Sequence, residues 1–191
     1  MKKLGFDLIL LGDPASGKDT QAAILEKKYS LYPVASGVFF RKLLKSLKYK
    51  AILEKTYSKG LPAPTSLMLK LLKESFGSVK VGQNFIFIGA ARLKPEAEVL
   101  KKYLDTRSRD FLVLYIRLPK SEVIKRSLSR ERKEDRDPKF IANRFVYYKT
   151  QVSKTVQFYK KYKKLKYIDG SQSISKVASD IQKIINDYQK R

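Results

Sequence analysis

The amino-acid sequence predicts an α/β fold, a five-stranded parallel sheet with helices on both faces. Two observations lead to this prediction. Short apolar runs alternate with segments whose apolar residues recur at helical spacing, which is typical of consecutive right-handed βαβ units. The strongest runs, at 6–12, 84–88 and 111–118, are apolar at nearly every position, as expected for strands buried on both faces of a parallel sheet.

The turn after the first strand carries the most specific motif of the chain, GDPASGKDT at 12–20. Gly12, four further residues, Gly17 and Lys18 follow the phosphate-binding pattern, but Asp19 stands where Ser or Thr is usual. Small residues let main-chain N–H groups turn inward around a triphosphate, while the helix N-terminus and the lysine ammonium face the phosphates. An ordinary glycine-rich turn is the alternative. The strand before it and the amphipathic segment after it favour a P-loop, and therefore a sheet of the P-loop NTPase type.

The first half of the chain continues with short elements. The helix after the loop has apolar residues at helical spacing, namely Ala22, Leu25 and Tyr29. A second strand is predicted at 32–35, followed by a helix with Ser36 as a candidate N-cap. The segment 41–59 is basic and less regular, and a stretch rich in glycine and proline at 60–64 ends it. A helix over 65–75 then leads to the third strand.

The second half repeats the alternation. Pro95 lies in the first turn of the next helix, where its missing N–H leaves no hydrogen bond unmade. After the fourth strand, a helix begins at 121, and the wholly polar segment 131–138 is expected to be an exposed loop. A long helix follows, with apolar positions at Phe145, Tyr148, Val152 and Tyr159. Residues 167–168 form a short last strand, and the terminal helix has apolar positions at Ile174, Val177, Ile181, Ile184 and Tyr188.

Composition limits the chemistry. The 191 residues favour one domain, and they include no cysteine and no histidine, which excludes disulfides, Cys/His zinc sites and imidazole catalysis. The formal charge is +24, so the protein should attract polyanions, including some non-specific nucleic-acid binding. No apolar run approaches 18 residues, and the apolar start runs directly into the phosphate loop. We therefore expect a cytoplasmic protein that does not enter a membrane.

Several further residues resemble, in order and spacing, those of the adenylate kinases over essentially the whole chain: Ser36-Gly37, Arg41, Gly89, Arg92, Pro95, Arg126 and Arg130. The resemblance implies one nucleoside monophosphate kinase domain of the short-lid type. Its expected parts are a core at 1–35, 67–130 and 139–191, a monophosphate-binding insertion at 36–66 and a short lid at 131–138. It also implies reversible transfer of the terminal phosphoryl group from MgATP to AMP, giving two ADP, by a monomer.

The resemblance assigns residues to each substrate. The implied ATP-binding residues are Asp13, Pro14, Ala15, Ser16, Gly17, Lys18, Asp19, Thr20, Arg126, Arg130 and Gln172. The implied AMP-binding residues are Ser36, Gly37, Arg41, Leu61, Pro62, Ala63, Gly89, Arg92, Glu96, Arg132 and Arg144. The residues expected to stabilise the transferred phosphoryl group are Lys18, Arg92, Arg130, Arg132 and Arg144. Guanidinium groups suit this task because they stay charged and bind phosphate with two donors.

The sequence departs from the family pattern at four places. Ile88 replaces the acidic residue that holds magnesium through water, and Ala90-Ala91 replace a phenylalanine and a proline. In the lid, either Arg132 or Lys133 is the counterpart of the family arginine. Glu96 replaces an adenine-reading glutamine; it could accept from the 6-amino group of adenine, signal a different base, or lie on an exposed helix face.

Magnesium with ATP is the expected cofactor, and no zinc is expected. The hydroxyl of Thr20 and the phosphate oxygens can ligate Mg²⁺, and we hypothesise that Asp19 takes over the missing carboxylate role. The alternative is that Asp19 only complements the helix dipole. Two other functions stay open: a kinase for another monophosphate such as UMP or CMP, and a catalytically weakened nucleotide- or nucleic-acid-binding relative.

Overall fold

The sheet is parallel and five-stranded, as the sequence predicts. The computed structural model describes residues 2–129 and 137–190. Within these ranges the strand order is β2-β3-β1-β4-β5, so the chain crosses over the sheet in both directions from the central β1. The strands are β1 Asp7–Gly12, β2 Leu31–Ala35, β3 Asn84–Ile88, β4 Phe111–Arg117 and β5 Leu165–Asp169.

Helices connect the strands and cover both faces of the sheet. They are α1 Lys18–Lys28, α2 Ser36–Leu43, α3 Leu47–Lys55, α4 Thr65–Ser78, α5 Lys94–Thr106, α6 Lys120–Leu128, α7 Pro138–Tyr147, α8 Ser153–Lys160 and α9 Ile174–Gln189. A 3₁₀ turn at Tyr57–Lys59 precedes the loop that leads to α4, and a π-helical turn at Tyr148–Val152 joins α7 to α8. None of the helices in the described part of the chain is long and apolar enough to cross a membrane.

Two apolar cores lie on opposite faces of the sheet because successive side chains of a strand point to opposite sides. On one face, Leu8 and Leu10 of β1 pack with residues of α1 and α9 such as Ile181. On the other face, Ile9 and Leu11 pack with residues of α4, α5, α7 and α8. This two-sided burial explains why β1, β3 and β4 are apolar at almost every position.

A buried ion pair fixes the end of the sheet opposite the phosphate loop. Asp7 is fully buried at the start of β1 and accepts two hydrogen bonds of 2.7 Å from Arg109, which precedes β4. The same carboxylate accepts a hydrogen bond from the main-chain N–H of Phe85 in β3 (2.7 Å). One side chain therefore links the three central strands and helps to set their register.

Three local predictions were wrong. Ser36 is the first residue of α2 and not its N-cap, because its hydroxyl donates instead to the carbonyl of Gly89 at the end of β3 (2.7 Å). The basic segment 41–59 is more regular than predicted, since the exposed basic faces of α2 and α3 hide the helical pattern around the buried Leu53. In α9, Ile185 is fully buried, whereas Ile184 is only partly buried and Ile174 is 61% exposed.

Candidate active site

The phosphate loop lies between β1 and α1 at the carboxyl edge of the sheet. A Cβ on Gly12 would lie 2.4 Å from the carbonyl oxygen of Ile116, so the approach of the loop to β4 requires glycine. Ala15 and Gly17 adopt left-handed backbone conformations, with φ of 57° and 85°. The turn therefore ends directly at the N-terminus of α1, whose free N–H groups face the concave side of the loop.

Lys18 lies folded across this loop. Its ammonium donates to the carbonyl oxygens of Gly12 and Asp13, both at 2.7 Å, and to the hydroxyl of Ser16 at 3.2 Å. Burial, together with the nearby guanidinium groups of Arg92 and Arg144, lowers the pKa of Lys18 to about 8 against the opposing effects of Tyr148 and Asp19. A phosphate group entering the loop would relieve this cationic repulsion.

The carboxylate of Asp13 is directed away from the loop. It accepts hydrogen bonds from the hydroxyl of Tyr115 (2.7 Å) and from the main-chain N–H of Leu118 (2.8 Å). The side chain thus ties the start of the phosphate loop to β4 and the residues after it. Any contribution of Asp13 to ATP binding is restricted to its main chain. The neighbouring Pro14 is buried beside a separate groove on this side of the loop.

A cavity opens in front of the loop and is lined by four cations and one carboxylate. Ten of the predicted site residues line it, namely Ala15, Ser16, Gly17, Lys18, Asp19, Gly37, Arg41, Leu61, Arg92 and Arg144. The structure therefore brings the phosphate loop, residues of the predicted insertion at 36–66 and α7 to one place. Arg130 and Arg132 lie outside the described residues, as do Lys133 and the predicted lid up to residue 136.

Arg92 is held at the end of β3 by its neighbours. Its Nε donates to the carbonyl of Gly89 (2.5 Å), and its Nη2 lies 3.4 Å from the hydroxyl of Ser36. Gly89 has a φ of 56°, and a Cβ there would lie 2.5 Å from the Arg92 guanidinium. The predicted glycine thus makes room for the predicted arginine.

A second, smaller cavity adjoins the first and shares Arg92 with it. Its lining is otherwise mostly apolar and includes Ser36, Phe40, Tyr57, Leu61, Pro62, Ala63, Met68, Glu96 and Tyr147. The predicted AMP-binding residues Ser36, Leu61, Pro62, Ala63 and Glu96 therefore lie together around one enclosed space. A cation at the mouth and apolar walls inside suit a phosphate followed by a base.

Glu96 is buried, so the exposed-helix alternative is wrong. Only 3% of the residue is exposed, and its Oε2 accepts a hydrogen bond from the main-chain N–H of Leu93 at the start of α5 (3.0 Å). Burial raises the pKa of Glu96 to about 7, although this hydrogen bond and the charge of Arg92 act in the opposite direction. A substantial fraction of Glu96 is therefore protonated at neutral pH.

Arg126 and the loop after β5 form a separate part of the site. The Arg126 guanidinium donates to the carbonyls of Gly170 (2.8 Å) and Ser171 (3.3 Å) and pairs with Glu122 (3.2 Å). Gln172 donates to the carbonyl of Asp169 and to the carboxylate of Asp180 on α9. Arg126 and Gln172, which the resemblance assigns to ATP binding, thus both bond to the residues that end β5 and follow it.

The predicted magnesium residues differ in their placement. Asp19 and Thr20 are both exposed, and of the two Asp19 lines the main cavity, which Ile88 also borders. In the described residues no three His, Cys, Asp or Glu side chains group together as metal ligands. One carboxylate and one hydroxyl fit Mg²⁺ because this ion keeps several waters and takes phosphate oxygens as further ligands.

The sequence reasoning missed several residues that line the cavities. Tyr57, Gly60, Phe140 and Tyr147 border the main cavity. Tyr147 follows Arg144 by three positions and Tyr148 follows it by four, so both lie on the same helix face as the predicted arginine. This spacing from Arg144 was the signal that could have identified the two tyrosines.

Comparison with known proteins agrees with this geometry. A family model described as adenylate kinase matches residues 10–164. The chain is 30% identical over 185 residues to an adenylate kinase of Bacteroides fragilis, which covers 94% of this chain and 98% of that protein. It is 28% identical over 183 residues to an adenylate kinase of Azobacteroides pseudotrichonymphae, covering 93% and 96%. It is also 28% identical over 186 residues to that of Trichodesmium erythraeum, covering 94% and 97%.

Proposed function

The chain belongs to the adenylate kinase family and is a nucleoside monophosphate kinase, and we propose that it is a cytoplasmic enzyme that transfers the terminal phosphoryl group of MgATP to AMP, giving two ADP. One observation carries the proposal. Arg92 borders both the cavity in front of the phosphate loop and the enclosed cavity that contains Glu96. One guanidinium can therefore contact the donor and acceptor phosphates together.

Phosphoryl transfer depends mainly on alignment and charge stabilisation, because the loose transition state spreads negative charge over the equatorial oxygens. An acceptor monophosphate already carries ionised oxygens at neutral pH, so the absence of histidine is no obstacle. The N–H groups of the loop and Lys18 bind the donor phosphates, while Arg41, Arg92 and Arg144 bind the acceptor and the group in transfer.

Bound magnesium would neutralise donor phosphate charge during the transfer. Asp19 lines the cavity in which the family carboxylate is replaced by Ile88, so we propose that Asp19 orients waters of the metal ion, with Thr20 beside it. Asp19→Asn should raise the magnesium concentration needed for half-maximal turnover about tenfold. An unchanged magnesium dependence would leave Asp19 with only a helix-dipole role.

The acceptor base is expected to be adenine because of the chemistry of Glu96. A protonated carboxyl group offers one donor and one acceptor, like the amide that it replaces, whereas a carboxylate only accepts. With a pKa of about 7, Glu96 provides both forms near neutral pH. A chain that prefers UMP or CMP is the competing possibility within the same reaction class.

A coupled assay of ADP formation with AMP, CMP, UMP and GMP tests the proposal. We expect AMP to have the highest kcat/KM, and Arg92→Gln to lower it by at least about 100-fold. The exposed Arg107, whose guanidinium lies over the Tyr103 ring, provides the matched control Arg107→Gln, which should change turnover less than twofold. If the enzyme prefers a pyrimidine monophosphate, AMP is not its acceptor, but the proposed class of reaction stands.

A second function is favoured by Ile88 and by the net charge of +24, namely nucleotide- or nucleic-acid binding without efficient turnover. Nucleic-acid affinity with a steep salt dependence, together with no ADP formation from any of the four monophosphates, would support it. Salt-dependent RNA binding in an active enzyme would not, since the charge alone predicts such binding.

A further inference from the structure

Tyr148 is buried between the phosphate loop and α7 and has no role in the reaction as described so far. The residue is 6% exposed and begins the π-helical turn that joins α7 to α8. Its hydroxyl is fully enclosed, and none of the described residues accepts its proton in a hydrogen bond. A buried hydroxyl whose proton has no acceptor is costly, so its position needs an explanation.

The groups around this hydroxyl explain why its proton has no acceptor. Tyr148 borders a small internal cavity, too narrow to hold a water molecule, together with Gly12, Lys18, Gly89 and Arg92. The Cζ atom of Arg92 lies 5.8 Å from the centre of the tyrosine ring. Ammonium and guanidinium groups carry only donors. The cations near Tyr148 therefore cannot accept the hydrogen of its hydroxyl, which an anionic oxygen could do.

The electrostatic environment leads to the same conclusion. Burial alone would raise the pKa of Tyr148, but the charges of Arg92, Lys18 and Arg144, together with a hydrogen bond from the Arg144 side chain, lower it to about 8. Arg92 follows β3, Lys18 begins α1 and Arg144 lies on α7. The positive potentials of three elements therefore converge at the hydroxyl. A negative group is strongly favoured at such a point. Below pH 8 the hydroxyl keeps its proton and can donate it in a hydrogen bond.

We propose that the Tyr148 hydroxyl is a further catalytic residue, which donates a hydrogen bond to a phosphate oxygen held between Lys18 and Arg92. This assignment rests on the proposed phosphoryl transfer. It adds a neutral hydrogen-bond donor to the cations that bind the phosphates. When phosphate enters, Lys18 can exchange its contacts with the Gly12 and Asp13 carbonyls for contacts with phosphate. The phosphate oxygen then accepts the hydrogen bond of the Tyr148 hydroxyl, for which the surrounding cations offer no acceptor. The proton stays on the tyrosine throughout, so no proton transfer is required.

The π-helical turn is consistent with this role. Such turns insert one additional residue into a helix and are frequent at functional sites. Here the turn begins at Tyr148 and ends at Val152, and both residues border the internal cavity next to Gly12 and Gly89. The local change of helical geometry therefore occurs where α7 passes the phosphate loop.

Tyr148→Phe tests the proposal, and Tyr159→Phe is a closely matched control. Tyr159 lies on α8, is fully buried, and has a hydroxyl with no hydrogen-bond partner in the described part of the chain. It packs between Phe111 and Phe158, away from the phosphate loop. Each variant thus removes one enclosed hydroxyl whose proton has no acceptor among the described residues. Urea unfolding should show similar and small changes in stability for the two.

We expect Tyr148→Phe to lower kcat with MgATP and AMP by about 10- to 100-fold, which is typical for the loss of a hydrogen bond to a charged group. Tyr159→Phe should stay within twofold of the wild type. A kcat within twofold for both variants would overturn the proposal. An equal loss in both variants would overturn it as well, because the effect would then be structural.

Binding of inorganic tripolyphosphate, measured by calorimetry at pH 7, separates this inference from the proposed function. If the wild type turns over none of the four monophosphates, the proposed function fails. The hydrogen bond would still be supported if Tyr148→Phe binds tripolyphosphate more weakly than Tyr159→Phe does. Equal affinities would refute it. In the wild type, tripolyphosphate should also suppress the ionisation of one tyrosine near pH 8, seen as lower tyrosinate absorbance. This last measurement does not depend on the folding of any variant.

Discussion

Glu96→Gln should stabilise the protein, and the gain should depend on pH. The environment of Glu96 raises its pKa from an ordinary 4.5 to about 7, mainly by burial. The native state therefore holds this proton more tightly than the unfolded chain does. The resulting stability is fully present below pH 4.5 and is lost as pH rises through 7. The pKa difference corresponds to about 3 kcal/mol above pH 7.

Glutamine has no charge to bury and can still accept from the N–H of Leu93, so Glu96→Gln should be nearly neutral near pH 4.5 and more stable by about 3 kcal/mol at pH 8. Urea unfolding at pH 5, 6, 7 and 8 measures this trend. Glu98→Gln is the control, because Glu98 lies on the same helix, is half-exposed and forms a surface ion pair with Lys94. It should change stability by less than about 0.5 kcal/mol at every pH.

The same pair of variants reports on the acceptor site. If protonated Glu96 reads adenine, the KM for AMP should rise above pH 7 in the wild type and stay level in Glu96→Gln. A stability gain of Glu96→Gln that does not change with pH, or one that Glu98→Gln reproduces, would refute the reasoning. In that case Glu96 is ionised at neutral pH without a loss of folding stability, and other interactions offset the burial of its charge.

Three further predictions follow from the site and the sheet. Lys18 must be protonated to bind phosphate, and burial lowers its pKa to about 8. Calorimetry should therefore show that the affinity for ATP falls by up to about tenfold per pH unit above pH 8. An affinity that stays level between pH 7 and 9 would contradict this. Gly89→Ala should displace Arg92 and lower kcat at least about tenfold. The control is Gly77→Ala, at a helix position with nothing within 4 Å of the new Cβ; it should leave kcat unchanged and add up to about 1 kcal/mol of stability. Asp7→Asn breaks an ion pair whose carboxylate is fully buried and should cost about 3 kcal/mol in urea unfolding at pH 7, and a loss below about 1 kcal/mol would show that the pair is dispensable.

Local patterns predicted the elements that have a strong period or a fixed motif. The apolar β1 and the glycines around Lys18 follow from short-range spacing, whereas Arg92 and Arg144 were expected from the resemblance to the adenylate kinases. The fold places the phosphate loop and these two arginines together. Ser36 shows the limit of such patterns. Its sequence context is that of an N-cap, but its hydroxyl bonds to Gly89, which is 53 residues away. A contact of this kind depends on strand pairing, which spacing along one segment does not reveal.

Glu96 and Tyr148 show the same limit for the site itself. A glutamate in a helix that begins Lys-Pro-Glu is ordinarily exposed, and its burial results from α5 packing beside the insertion at 36–66 and α7. Tyr148 fits the apolar face of a long helix, so the period assigns it to the core. Its hydroxyl, however, lies among cations from three elements. Burial and electrostatic potential are properties of the assembled fold, and they distinguish a core tyrosine such as Tyr159 from one at the site.

The phosphate site carries an electrostatic cost that phosphate binding can release. Burial and mutual repulsion lower the pKa of Lys18 to about 8, and the same cations lower the pKa of Tyr148 to about 8, although burial alone would raise it. Both effects arise because four cations converge around a single carboxylate, that of Asp19, in the described part of the site. Binding of a polyphosphate should raise both pKa values, so that protons are taken up near pH 8. Proton uptake on binding, measured by calorimetry in buffers of different ionisation enthalpy, should therefore decrease in Tyr148→Phe and stay unchanged in Tyr159→Phe.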